Sequence, residues 1–243
     1  MIKTSIICVL AIFPATVIAQ VTDEQLLSIV SSKRVIETVG QFYIDGTTRA
    51  DAQFFTSPRN VKFGLILFSV APDSVHLAVF QEKHGKWTKH QLFRDIPIAG
   101  LVKLSKIELA GLSGFLISQD FAVKYGFATF VAFDSTLESF STIPGFERVG
   151  NAFPAPERMD LFYSYYTCGC AAACWVSRLY SFREYSLVVH AEMGCNCSES
   201  RLILNDGGTA ISLEKDKCGE YSDDRLDTIQ KKWQKVILSY FKP

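Results

Sequence analysis

The feature that most restricts the fold is a run of short β-forming segments, each closed by turn residues, that fills residues 61–143. Val61 to Val70 is rich in β-formers and stops at Ala71-Pro72-Asp73-Ser74. His76 to Glu82 then pairs with Trp87 to Phe93 across Lys83-His84-Gly85-Lys86, since Leu77 and Val79 against Trp87 and Leu92 suit a half-buried hairpin. Leu101–Leu109 and Phe115–Ser118 flank the turn Ala110-Gly111-Leu112-Ser113-Gly114, and Phe127–Phe133 and Leu137–Ile143 flank Asp134-Ser135-Thr136. Short segments joined by tight turns pair with their chain neighbours, so residues 61–143 are expected to be antiparallel.

The pattern resumes after a Pro-containing stretch, Pro144 to Pro156, which is the candidate internal boundary. An aromatic segment, Asp160–Thr167, comes first. Trp175–Phe182 with Ser186–Glu192 reads as one hairpin, turning near Arg183-Glu184. Arg201–Leu204 with Thr209–Leu213 reads as another around Asn205-Asp206-Gly207-Gly208, residues that tolerate positive φ. Residues 45–60 read as loop. At the start, Thr22-Asp23-Glu24-Gln25 has the capping-box arrangement, and Leu26, Leu27, Val30 and Ile36 continue at near-helical spacing to a stop at Gly40. Near the end, Leu226, Ile229, Trp233, Ile237 and Tyr240 recur every three or four residues opposite Lys231, Lys232 and Lys235, which predicts an amphipathic helix from about Asp223 to Phe241. The expected class is α+β and β-dominated: an antiparallel multistranded sheet or open barrel with N- and C-terminal helices.

Residues 1–19 have the three parts of a secretory signal: basic Lys3, a short apolar run from Ser5 to Phe13, and Val17-Ile18-Ala19 ending on a small residue. The run is too short to span a bilayer and is broken at Pro14. Cleavage after Ala19 leaves residues 20–243 as one domain, secreted or periplasmic. Cys8 leaves with the signal, so six cysteines remain: Cys168, Cys170, Cys174, Cys195, Cys197 and Cys218. An even number in an exported chain reads as a disulfide framework, whose connectivity the sequence leaves open. Cys174 and Cys195 bracket the Trp175–Glu192 hairpin and form the best single pair. Cys168-Gly169-Cys170 is also a candidate for thiol–disulfide exchange, although no Cys-x-x-Cys accompanies it. Asn196-Cys197-Ser198 is a formal glycosylation sequon.

The order of segments in residues 75–143 is strand, Gly85-Lys86-Trp87 turn, strand, strand, small-residue turn, strand and an aromatic strand pair. It resembles the FG-GAP-type blade-like repeats of exported bacterial proteins. The resemblance implies antiparallel β structure. Members of that family carry an acidic calcium loop at the turn matched here by Ala110-Gly111-Leu112-Ser113-Gly114, which has no carboxylate, so the metal function is not implied.

Lys and Arg total 25 against 25 Asp and Glu, a balance that gives no footprint for nucleic acid or anionic lipid. No metal site or cofactor is expected: the cysteine spacings match no zinc motif, and His76 and His90, which would face each other across the first hairpin, make a poor pair of ligands alone. Gly111-Leu112-Ser113-Gly114 is not a nucleophile elbow, and no phosphate-binding Gly-rich loop is present. Tyr163 and Tyr165, on one face of an aromatic strand, are the candidate binding surface, with another protein as the candidate partner. If the protein is an enzyme, His190 is the candidate base, with Glu192 sharing its strand face. The reading is an exported, non-catalytic binding or inhibitor-like protein, with an exported hydrolase or a thiol–disulfide redox protein as the alternative.

Overall fold

A computed structural model describes residues 21–32, 41–44, 46, 48–98, 101–120, 128–155, 158–167, 175–196, 201–206, 209–215, 231 and 234. The backbone forms three open antiparallel sheets rather than the single sheet or open barrel expected. The first sheet contains β1 (Gln41–Ile44), β2 (Thr48–Thr56), β3 (Lys62–Ala71), β4 (Ser74–Lys83) and β5 (Lys86–Pro97). The second contains β6 (Leu101–Leu109), β7 (Leu112–Asp120), β8 (Ala128–Asp134) and β9 (Ser139–Thr142). The third contains β10 (Asn151–Pro154), β11 (Phe162–Thr167), β12 (Trp175–Arg183), β13 (Ser186–Asn196), β14 (Arg201–Asp206) and β15 (Thr209–Lys215). In every sheet the spatial order is the chain order. The stretch that resembles a blade unit is shared between β4–β5 of the first sheet and β6–β9 of the second.

The tight turns explain this local topology. His84 and Gly85 both have positive φ (52° and 74°), as do Ala110 and Gly111 (47° and 78°) and Glu184 and Tyr185 (50° and 60°). Two consecutive positive-φ residues make the turn whose twist suits a two-residue hairpin. The Ala110 turn is therefore two residues long, and Leu112 to Gly114 belong to β7.

The sheets stack face to face, and strand alternation assigns each side chain to a layer. Phe63, Leu65, Leu67, Leu77 and Val79 of the first sheet pack against Leu104, Phe115, Val131, Phe133 and Phe140 of the second. Phe130 and Ala132, on the other face of β8, pack against Phe162, Tyr180 and Phe182 of the third. The outer face of the first sheet, including Ile66, Ala78 and Phe80, lies under α1 (Asp23–Ser31) through Leu26 and Val30. Gly64 permits this approach, since a Cβ there would stand 2.9 Å from Val30 Cγ1. Strand β3 is thus buried on both faces, which is why it reads as a continuous apolar run.

Among the described residues one α-helix, α1, has defined ends, so the expected pair of terminal helices is not borne out; of the C-terminal segment only Lys231 and Gln234, both helical, are described. The capping box at Thr22 and Gln25 forms, with the Thr22 hydroxyl accepting from Gln25 N–H and the Gln25 side chain accepting from Thr22 N–H. Helix α1 ends at Ser31, and residues 33–40 of the expected helix lie outside the described residues. The expected C-terminal helix also lies outside them, apart from Lys231 and Gln234, and so does the signal segment. Residues 45–60, expected as loop, supply β2 instead. Ala50 and Ala52 are buried on the α1 side, while Asp51 and Gln53, which alternate with them, point at the neighbouring sheet.

Those polar residues hold the margins of the second sheet. Asp51 Oδ2 accepts from Leu104 N–H at 2.9 Å, and Gln53 Nε2 donates to Leu104 O at 3.2 Å. On the opposite margin, Gln91 donates to Phe140 O (2.9 Å) and accepts from Phe140 N–H (2.7 Å). Leu104 and Phe140 lie on β6 and β9, the two edge strands, whose outward backbone groups would otherwise lack partners. The Pro144 to Pro156 stretch holds a 3-10 turn, Phe146–Arg148, and β10. Phe146 is fully buried between the second and third sheets.

Candidate interaction surface

The two tyrosines expected at a binding surface are interior. Tyr163 and Tyr165 are each 3% exposed. Tyr163 stacks on Phe153 with ring centroids 5.4 Å apart, and burial pushes its hydroxyl above the ordinary pKa of 10.0. Their face of β11 is shared with Leu179 and Ser177, both fully buried, so alternation separates two buried faces here rather than a wet one from a dry one.

His190 and Glu192 are not brought together, and the cause is a one-residue register shift. Leu179 opposes Ala191, but Tyr180 opposes Val189, which leaves His190 as the extra residue of a bulge. A bulge reverses the face of everything beyond it. Glu192 therefore lies opposite Arg178, whose Nε donates to Glu192 Oε2 at 2.6 Å. Burial is the largest single influence on the Arg178 guanidinium and opposes its charge, but Glu192, Tyr166 and Tyr180 together outweigh it and raise its pKa. Arg178 also lies over the Tyr166 ring at 5.9 Å. His190 lies on the other face, with Nε2 2.8 Å from Ser181 Oγ.

Two further residues complete this group, and nothing in the sequence signals either. Arg158 grips Asp160 with two parallel bonds, Nε to Oδ1 and Nη2 to Oδ2, both 2.7 Å. This fork is the geometry in which a guanidinium holds a carboxylate most firmly. The Arg158 bond holds the Asp160 carboxyl below its ordinary range. Burial pushes His190 below 6.5; the Asp160 charge opposes that shift and the Arg158 charge adds to it. Arg158, Asp160, Ser181 and His190 are thus one electrostatic cluster at the end of the third sheet where β11 begins. Two exposed apolar side chains adjoin it in sequence: Met159, at 79%, and Val189, at 55%.

A hydroxyl beside a neutral imidazole is the core of a nucleophile–base pair. The rest of that machinery differs from what acyl transfer needs. Both Asp160 oxygens accept from Arg158, so the guanidinium, not the imidazole alone, shares this carboxylate. Ser181 sits within β12, and strand N–H groups lie in the sheet plane rather than above the face where an oxyanion would form.

The remaining candidates fall elsewhere. Among the described residues no three His, Cys, Asp or Glu side chains converge as a metal site, and no helix is long and apolar enough to cross a membrane. His76 and His90 are separated: His76 is 3.3 Å from Asp95 on the α1 face, and His90 lies 5.6 Å from the Phe63 ring. Of the cysteines only the backbone of Cys195 is described, in β13 opposite Leu202. Cys168, Cys170, Cys174, Cys197 and Cys218 lie outside the described residues, and with them every expected disulfide. No family model matches the chain, and neither does any curated protein. A solved structure described as a Xanthomonas type IV secretion system related protein is similar at 8% identity and a TM-score of 0.36, over 72% of this chain and 93% of that one.

Proposed function

We propose that the protein is an exported, non-catalytic binding or inhibitor-like module of the cell envelope or extracellular space, and that it engages another protein through the end of the third sheet. The observation that carries this reading is the Arg158–Asp160 and Ser181–His190 array, with exposed Met159 and Val189 next to it in the chain. Polar groups that are already paired, Ser181 and His190 on strands and Arg158 and Asp160 in the turn before β11, lose little freedom on binding. Exposed apolar side chains next to them supply contact area, and methionine is enriched at interfaces. Export is supported by the signal pattern of residues 1–19 and by the even cysteine count that remains after them.

The test is photo-crosslinking with the exported protein in its own envelope or medium fraction. A photoreactive residue at position 159 or 189 is expected to give one discrete adduct, competed away by unlabelled protein. The same probe at Leu137, exposed at 72% on the turn between β8 and β9, is expected to give none. Equal labelling from all three positions, or none from any, overturns the reading. So does ester hydrolysis by the native protein that Ser181→Ala abolishes, which would assign the cluster to the hydrolase alternative.

A further inference from the structure

Helix α1 covers only part of the first sheet. Its nine residues span about 13 Å at 1.5 Å each, whereas a ten-residue strand spans about 33 Å. Beyond Thr22 the described residues form a cleft of about 650 Å³ on the outer face, a size typical of small-molecule sites. Its apolar lining comes from Leu26 of α1, Phe68 and Val70 of β3, and Leu92 of β5. Three basic side chains, His76, Lys89 and Arg94, also line it.

A second bulge sets the charge of this cleft. Val75 opposes Ile96 but Leu77 opposes Phe93, so His76 alone faces both Arg94 and Asp95, and Asp95 has a φ of 51°. The bulge brings Asp95 to His76 Nε2 at 3.3 Å. Lys89 is committed to Asp23, donating to its two oxygens at 2.6 and 2.9 Å. Arg94 is the cation left over: it lies at the cleft with no carboxylate partner among the described residues. A cleft with an apolar strip, Leu26, Phe68, Val70 and Leu92, beside polar side chains and one uncompensated guanidinium complements a ligand that is apolar along its length and anionic at one end.

We propose that this cleft binds a small amphipathic carboxylate of the medium-chain fatty acid type, with its chain along Leu26, Phe68, Val70 and Leu92 and its carboxylate on Arg94. The site lies on the first sheet, against α1, and does not depend on the third-sheet surface. A guanidinium meets a carboxylate with two parallel hydrogen bonds, so charge and shape both discriminate against a neutral analogue. The test is calorimetric titration of the exported protein with decanoate below its micelle concentration, and with decanol. Decanoate is expected to saturate at one site and to bind at least tenfold more tightly than decanol. Arg94→Gln, an exposed substitution, is expected to weaken decanoate at least tenfold and leave decanol unchanged. Val70→Trp, which fills the cleft, is expected to abolish both. Decanoate that fails to saturate, that binds no better than decanol, or that ignores Arg94→Gln overturns the proposal.

Discussion

The two seams of the stack are aromatic, and they are built differently. Between the first and second sheets, Phe55 and Phe63 meet Phe115, Phe133 and Phe140 edge-on, at interplanar angles of 63–89°. At the second seam, Phe130 against Phe182, and Phe146 against Phe162 and Phe182, lie at 22–26°. Edge-on rings interlock, and the Asp51, Gln53 and Gln91 bonds fix both margins of the first seam. Stacked rings can slide along one another. The second seam is joined at one end by the Tyr185 hydroxyl and the Asp134 carboxylate, a bond that, after Leu137 N–H, holds Asp134 below its ordinary pKa. On this contrast the first seam is expected to be the more rigid one, and the third sheet, which carries the proposed interaction surface, to be attached through the more adjustable one.

Removing one fully buried ring from each seam tests that difference most strongly. Phe63→Ala and Phe162→Ala are each expected to lose about 3–5 kcal/mol, the usual cost of a cavity left by an aromatic side chain. Phe63 should fall at the upper end, because interlocked neighbours cannot close the hole, whereas Tyr180 and Phe182, stacked on Phe162 at 5.1 and 5.0 Å, can shift into it. Urea unfolding of both variants measures this. A larger loss for Phe162→Ala would reverse the assignment of the rigid seam.

The polar bonds allow a smaller, cleaner comparison. Gln91→Leu leaves Phe140 N–H and C=O unpaired at a buried edge and is expected to cost about 1–3 kcal/mol. Tyr185→Phe removes the bond to solvent-accessible Asp134 and is expected to cost clearly less than Gln91→Leu, because water replaces the lost partner. Equal midpoints in urea would show that the margin bonds do not distinguish the seams.

The parts of this molecule that are legible in the sequence are those governed by local rules. The hairpin turn at His84-Gly85 and the capping box at Thr22 follow from neighbours within a few residues, and the turn expected near Arg183-Glu184 falls one residue later, at Glu184-Tyr185. The division into three sheets does not, because each strand pairs with its neighbour whether the meander continues or breaks. Residues 48–56 look like loop since Asp51 and Gln53 are polar, yet their work is to hold the backbone of Leu104 some fifty positions away. The candidate site was missed for a related reason. His190 was visible, but the bulge that turns it from Glu192 to Ser181 leaves no mark in the sequence, and Arg158 and Asp160 reach it from another segment.

The smallest expected effect is a pH dependence that marks the first seam. Burial pushes His90, beside Phe63, below the ordinary 6.5; nearby Lys83 acts in the same direction, while the Glu138 carbonyl and carboxylate oppose it. Its Nε2 is buried without a hydrogen-bond partner. A histidine whose folded pKa is depressed binds fewer protons folded than unfolded, so stability present above 6.5 is lost as the pH falls from there through the folded pKa. His190 contributes with the same sign. The depressed carboxylates Asp134 and Asp160 lose their contribution only below about 3.8, well apart from this window. Urea midpoints are therefore expected to fall between pH 7.5 and 5, and His90→Phe is expected to flatten the fall without abolishing it. The remaining slope belongs to His190 and is removed by adding His190→Gln. If His90→Phe leaves the slope unchanged while His190→Gln removes it, the acid-sensitive element lies in the third sheet, and the first seam holds through that range.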